Sequence, residues 1–227
     1  MPEMPVIAFD LDGTLVDTAP DLLDALDVVL AAHKIPPVDR AAARNMIGGG
    51  ARLLIRRALA SEGIALPVEE IEVLNAQFIA YYADHIADGS RPFPGLVGAL
   101  DRLADRGARL AVCTNKLERL ARMLLDRLEL TDRFCVIAGA DTFAKSKPDP
   151  LPLLSTIAAA GGGARRAVMV GDSITDVTTA RAAGVPSIAV SFGYTETPAH
   201  ELGADRLIGH FDELEEAVLA LLARAAA

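Results

Sequence analysis

Short apolar runs alternate along this chain with longer stretches in which leucines and valines recur every three or four residues. Residues 6–9, 110–113, 134–138, 167–170 and 187–190 form runs too short to cross a membrane, each halted by glycine or polar residues. That is the pattern of buried strands. Residues 206–208 read as a short edge strand. The three-to-four spacing is clearest in Leu22, Leu23, Leu26, Val29 and Leu30, and it returns over 96–106, 117–128, 151–160, the stretch ending at Ala183, and the tail from Glu213. Gly107, Gly161 and Gly184 stand where helices should stop.

Strands alternating with helices imply an α/β fold, a doubly wound, Rossmann-like parallel sheet covered on both faces. One region breaks the alternation. Pro36-Pro37 ends the first helix, and from Asp39 to about Asp88 the pattern stays helical, interrupted only at Gly48-Gly49-Gly50. Two prolines in Pro92-Phe93-Pro94-Gly95 then stiffen the return. The expected organisation is a core formed by residues 1–18 and 91–227, with residues 19–90 inserted as an all-helical subdomain. Asp17, ahead of the first helix, reads as a helix-start residue.

The polar residues that halt the strands carry the candidate chemistry. The first run ends in Asp10-Leu11-Asp12-Gly13-Thr14, the second in Thr114-Asn115-Lys116, and the fourth in Gly171-Asp172-Ser173-Ile174-Thr175-Asp176. In a parallel sheet these ends share one edge, where ligands bind. Asp10, Asp12, Thr114, Lys147 and Asp172 therefore converge. Carboxylates gathered without histidine or cysteine suit Mg²⁺ rather than zinc, and a lysine adds a point charge for phosphoryl oxygens. A carboxylate can also act as a nucleophile once a phosphate's charge is masked. Each residue has a plainer alternative: Asp-Gly is a turn signal, Asp176 can cap a helix, and a loop lysine such as Lys147 can simply be solvated.

Composition narrows the partners. Acidic residues outnumber basic ones 31 to 22, and the net charge of −9 disfavours nucleic acid. With no long uncharged apolar run and no basic, then apolar, leader pattern, the reading is a cytoplasmic protein without a membrane partner. Cys113 and Cys135 both fall in apolar runs and are expected as buried free thiols. His33, His85, His200 and His210 lack ligand spacing.

Four motifs in order, Asp10-Leu11-Asp12-Gly13-Thr14, Thr114-Asn115, Lys147-Pro148 and Gly171-Asp172-Ser173 through Asp176, make the chain resemble haloacid dehalogenase-superfamily phosphatases, and within them the phosphoglycolate-phosphatase-like members. The resemblance covers nearly the whole sequence, and the helical insert resembles the family's cap. It implies Asp10 as a nucleophile forming an aspartyl-phosphate and Asp12 as the acid that protonates the leaving oxygen, then activates water. It implies that Thr114, Asn115 and Lys147 hold the phosphoryl group. Mg²⁺ would be bound by Asp10, the backbone carbonyl of Asp12, and Asp172, with Asp176 in support. By the same alignment Lys116 and Lys145 are not the phosphoryl lysine.

Asp12 argues against dehalogenases, which lack that acid. It also argues against phosphonate hydrolases, whose cap carries a lysine that residues 38–91 do not have. The implied reaction is hydrolysis of a small phosphate ester, 2-phosphoglycolate first, with Arg52 beside the triple glycine facing its carboxylate. A sugar phosphate or nucleoside monophosphate is the alternative substrate. A hexose-phosphate mutase and a non-catalytic phospho-ligand sensor are more remote. The oligomeric state is not legible in the sequence.

Overall fold

The computed structural model describes residues 4–225. Strand β1 (Val6–Phe9) is buried along its whole length, and successive side chains serve opposite faces of the sheet. Ile7 and Phe9 join the larger apolar cluster, while Val6 and Ala8 join a separate one with Ala111, Met169, Leu153 and Ile157. A strand buried on both faces needs a continuous apolar run, which explains the absence of polar alternation there.

Six parallel strands make the main sheet, in the order β5 (Val136–Ala138), β4 (Arg109–Cys113), β1, β6 (Ala167–Gly171), β7 (Ser187–Val190) and β8 (Arg206–Ile208). β1 lies between β4 and β6, with Phe9 level with Val112 on one side and Val170 on the other. The strand order reverses about β1, and its carboxyl end is the switch point at which open α/β sheets bind ligands. Helices α5 (Leu96–Asp105), α6 (Glu118–Arg127) and α9 (Leu214–Ala225) contribute to the larger cluster, whereas α7 (Pro150–Ala159) and α8 (Ile174–Ala183) cover the opposite face. The fold is α/β, as the alternating pattern predicts. Among the described residues no helix is long and apolar enough to cross a membrane.

Helices α1 (Ala19–Ala32), α2 (Arg40–Arg44), α3 (Ala51–Ser61) and α4 (Val68–Asp84) occupy the inserted stretch. They sit between two strands the periodicity does not reveal: β2 (Val16–Asp17) and β3 (Arg91–Pro92) pair antiparallel, so the chain leaves and returns through one ribbon. Asp21 ties the same two ends together. Its buried carboxylate accepts from the N–H groups of Gly89 and Ser90 at 2.6 and 2.8 Å and from Ser90 Oγ at 2.5 Å.

Two local expectations are corrected. Asp17 is not a helix cap, because it lies in β2 and Thr18 occupies the N-cap position. Cys135 is exposed: β5 is an edge strand that starts only at Val136, and the Cys135 thiol faces the carbonyl of Leu110 at 3.2 Å. Cys113, on the interior strand β4, is buried as expected, and burial pushes its thiol up to about 11.

Candidate active site

Asp10 leaves the end of β1 with its N–H bound to the carbonyl of Val170 on β6. The carboxylate therefore inherits the position of the central strands. Asp172 follows β6, and Asp176 lies in the first turn of α8, where its Oδ2 accepts from Ser173 N–H at 3.1 Å and Ser173 Oγ at 2.6 Å. Capping and site roles coexist in Asp176, because Oδ1 accepts from Lys147 Nζ at 2.6 Å.

Lys147 also lies 3.0 Å from Asp10 Oδ1. That ammonium is the near cation of a buried Asp10 oxygen for which no other hydrogen-bond partner stands among the described residues. Oxygen atoms of Asp10, Asp172 and Asp176 all lie within 4.8 Å of one another.

Three buried acids, with one ammonium against two of them, are short of positive charge. Burial raises the Asp10 carboxyl to about 6, with Asp176 and Asp12 adding to the rise and Lys147 opposing it. Asp172 is held well above the usual carboxylate range, first by burial and then by Asp176 and Asp10. Burial disfavours the Lys147 ammonium, but Asp10 and Asp176 more than compensate and keep it charged. Three desolvated carboxylates with oxygens this close together, and no sulfur or imidazole donor in the group, fit a hard divalent cation.

The supporting contacts are equally specific. Asp172 accepts from Thr14 Oγ1 at 3.0 Å and from the Tyr194 N–H at 2.6 Å. Gly13 and Gly193 make room for it. A Cβ at Gly193 would lie 2.2 Å from Asp172 Cβ and 2.5 Å from the Gly13 carbonyl oxygen. Gly193→Ala should therefore displace the carboxylate, costing about 1–3 kcal/mol in stability and weakening divalent-cation affinity at least tenfold. Calorimetric Mg²⁺ titration checks this, and unchanged affinity would refute it.

Thr114 is buried at the end of β4, where its Oγ1 accepts from the Lys116 N–H at 3.2 Å. Asn115 grips the Lys147 backbone from both sides, its Nδ2 donating to the Lys147 carbonyl at 3.1 Å and its Oδ1 accepting from the Lys147 N–H at 3.0 Å. Its side chain therefore serves the site by fixing Lys147. Lys145 is exposed.

Asp12 turns the other way, toward a cavity of about 260 Å³ between the sheet edge and the inserted helices. Gly48, Gly49 and Gly50 line it, as does Arg52, whose guanidinium pairs with Glu72 at 2.7 Å in a largely exposed contact. Two further residues stand at the site: Lys116, which the sequence places at a strand end without giving it a role, and Tyr194, which it does not single out. Lys116 Nζ lies 2.9 and 3.2 Å from the two oxygens of Asp12. A signal for it exists in its place two residues past Thr114, the same spacing that separates Asp10 from Asp12. Tyr194 gives none, because only folding brings it to Ala19 and Asp17, 175 and 177 positions earlier.

The chain is similar to known proteins along nearly its whole length. The chain is 49% identical over 222 residues to a phosphoglycolate phosphatase of Mesorhizobium japonicum, covering 98% of each. It is 37% identical over 211 residues to an N-acetylmuramic acid 6-phosphate phosphatase of Pseudomonas aeruginosa, covering 92% of each. The crystal structure of a predicted phosphoglycolate phosphatase from Haemophilus somnus superposes with a TM-score of 0.87 at 27% identity, covering 96% of this chain and 99% of that one. Residues 7–190, which hold every element of the acidic cluster, match the model of the haloacid dehalogenase-like hydrolases, and the chain belongs to that family.

Proposed function

We propose that this protein is a Mg²⁺-dependent phosphomonoester hydrolase acting through an aspartyl-phosphate, with 2-phosphoglycolate as its substrate and glycolate and phosphate as products. The observation that carries the reading is the buried Asp10 oxygen 3.0 Å from Lys147 Nζ, inside a carboxylate cluster short of positive charge. A nucleophile must keep a lone pair uncommitted. An oxygen in this position meets that requirement, while its neighbour Lys147 can receive the phosphoryl oxygens.

Mg²⁺ would be held by Asp10, Asp172 and the backbone carbonyl of Asp12, with Asp176 behind them, and when bound it supplies the positive charge this cluster lacks. Asp10 attacks phosphorus as the bond to the ester oxygen breaks, and Asp12 gives that oxygen its proton. Asp12 then takes a proton from the water that attacks the acyl phosphate, releasing phosphate and regenerating Asp10. Thr114 and Lys147 hold the phosphoryl oxygens, and Asn115 keeps Lys147 in place. Residues 19–90 act as a cap over the leaving group, with Arg52 at its rim.

A cavity of about 260 Å³ is at the small end of ligand pockets, which favours a short leaving group. The name of the Pseudomonas relative favours a second reading, a sugar-phosphate ester. Phosphate release from a metabolite panel in Mg²⁺ and in EDTA separates the two. The expected result is a kcat/KM for 2-phosphoglycolate at least about 100-fold above any sugar phosphate, with release lost in EDTA and restored by Mg²⁺. Preference for a sugar phosphate would replace the substrate reading, and metal-independent release would overturn the mechanism.

A further inference from the structure

Two cations line the cavity that Asp12 faces, and they differ in kind. Arg52 sits at the exposed rim with its charge already matched by Glu72. Lys116 lies at the inner end, its side chain only 5% exposed, with Nζ 2.9 Å from Asp12 Oδ1 and 4.4 Å above the centre of the Tyr82 ring. Tyr82 comes from α4, so the ammonium is held between the sheet edge and the inserted helices. An ammonium has three donors, and Asp12 offers it a single carboxylate. The ring face stabilises the cation without consuming a hydrogen-bond acceptor.

We propose that Lys116 is the specificity residue for a carboxylate on the leaving group, binding that group while it remains beside Asp12. The proposal rests on the reading of 2-phosphoglycolate as substrate. Asp12 must reach the ester oxygen to protonate it, and in a two-carbon leaving group the carboxylate carbon lies only two bonds of about 1.5 Å from that oxygen. A cation in contact with Asp12 is therefore within reach of the carboxylate. A rim residue suits a longer molecule. A neutral leaving group of the same size would leave Lys116 paired with Asp12 alone and gain nothing from it.

The test compares 2-phosphoglycolate with the monophosphate of ethylene glycol, which replaces the carboxylate by a neutral hydroxymethyl group. The readout is the ratio of their kcat/KM values in wild type, Lys116→Met, Lys116→Arg and Arg52→Ala. Lys116→Met should lose activity on both esters, because Asp12 loses its partner, but the ratio should fall by about 100-fold or more, chiefly through KM for 2-phosphoglycolate. Lys116→Arg should restore part of the ratio, and Arg52→Ala should change it by less than about threefold. Glycolate, as a competitive inhibitor of neutral-ester hydrolysis, should weaken in parallel with the ratio.

A wild-type ratio near one would overturn the substrate reading and this proposal with it. A high wild-type ratio that survives in Lys116→Met would overturn the proposal alone. Collapse of the ratio in Arg52→Ala rather than Lys116→Met would transfer the role to Arg52.

Discussion

Replacing Asp10 with asparagine is expected to abolish turnover while making the metal-free protein harder to unfold. On the proposed mechanism the variant loses its nucleophile, which should reduce kcat by at least about 10⁴-fold. The stability gain follows from the sign of the Asp10 shift. Its carboxyl is pushed up to about 6 in the folded protein from an ordinary 3.8, because burial and the neighbouring acids disfavour the charged form more than Lys147 favours it. An acid raised in the folded state costs stability once ionised. The cost is absent below pH 4, grows as the pH rises toward 6, and is complete above it.

Raising the carboxyl from 3.8 to about 6 corresponds to about 3 kcal/mol, a balance that already includes the attraction of Lys147, and an amide that fits the site less well than a protonated acid recovers part of it. Asp10→Asn should therefore gain about 1–2 kcal/mol at pH 8 in EDTA and nothing at pH 4. Urea unfolding at the two pH values measures it. A variant less stable than wild type at pH 8 would show that the carboxylate is not under electrostatic stress. Saturating Mg²⁺ should narrow the difference, since the cation relieves the stress only where the acid is intact.

The opposite substitution in the same cluster should be the most damaging to stability. Lys147 is buried to within 1% at its side chain and touches both Asp10 and Asp176. Lys147→Met keeps the volume but leaves the buried Asp10 and Asp176 without their cation. Removing one partner of a buried ion pair costs about 3–5 kcal/mol, much of a typical domain's stability. The same variant should lose kcat by about 10³-fold or more, because the phosphoryl oxygens lose their point charge. Unfolding in EDTA and in Mg²⁺ separates the causes: added Mg²⁺ should recover part of the stability and almost none of the turnover. Equal stability of variant and wild type in EDTA would refute the account of the cluster.

How much of this was legible in the sequence depended on distance along the chain. The strands announce themselves locally, because burial on both faces demands unbroken apolar runs such as residues 6–9, and the polar residues that end them fall on one edge by topology alone. Asp10, Asp172 and Asp176 are consequently found together. The β2–β3 ribbon is two residues per strand, too short for any period. Asp17 accordingly passes for a helix start, when folding carries it to the Tyr194 hydroxyl and to Arg44. Lys116 is equivocal for another reason: the residues name three lysines near the site, Lys116, Lys145 and Lys147, and only folding shows that two are buried, against different acids. Cys135 shows the limit of apolar runs as a guide to burial, since nothing local distinguishes an edge strand from an interior one.

Tyr194 carries more than its one hydrogen bond to Asp172. Its hydroxyl donates to Asp17 and accepts from the Ala19 N–H at 2.9 Å, and its ring lies 4.6 Å below the Arg44 guanidinium, which itself reaches Asp17 at 3.1 Å. For protein engineering, this makes the helical insert less interchangeable than its two-stranded junction suggests. A chimaera spliced at residues 16–17 and 91–92 would join cleanly, yet a donor segment without an arginine at the place of Arg44 would leave Asp17 and the Tyr194 ring without their cation. The disturbance would then travel through one tyrosine backbone to the carboxylate of Asp172. If residues 19–90 act as the proposed cap, grafts that exchange them should carry Arg44 along, since its loss would also disturb the position of Asp172.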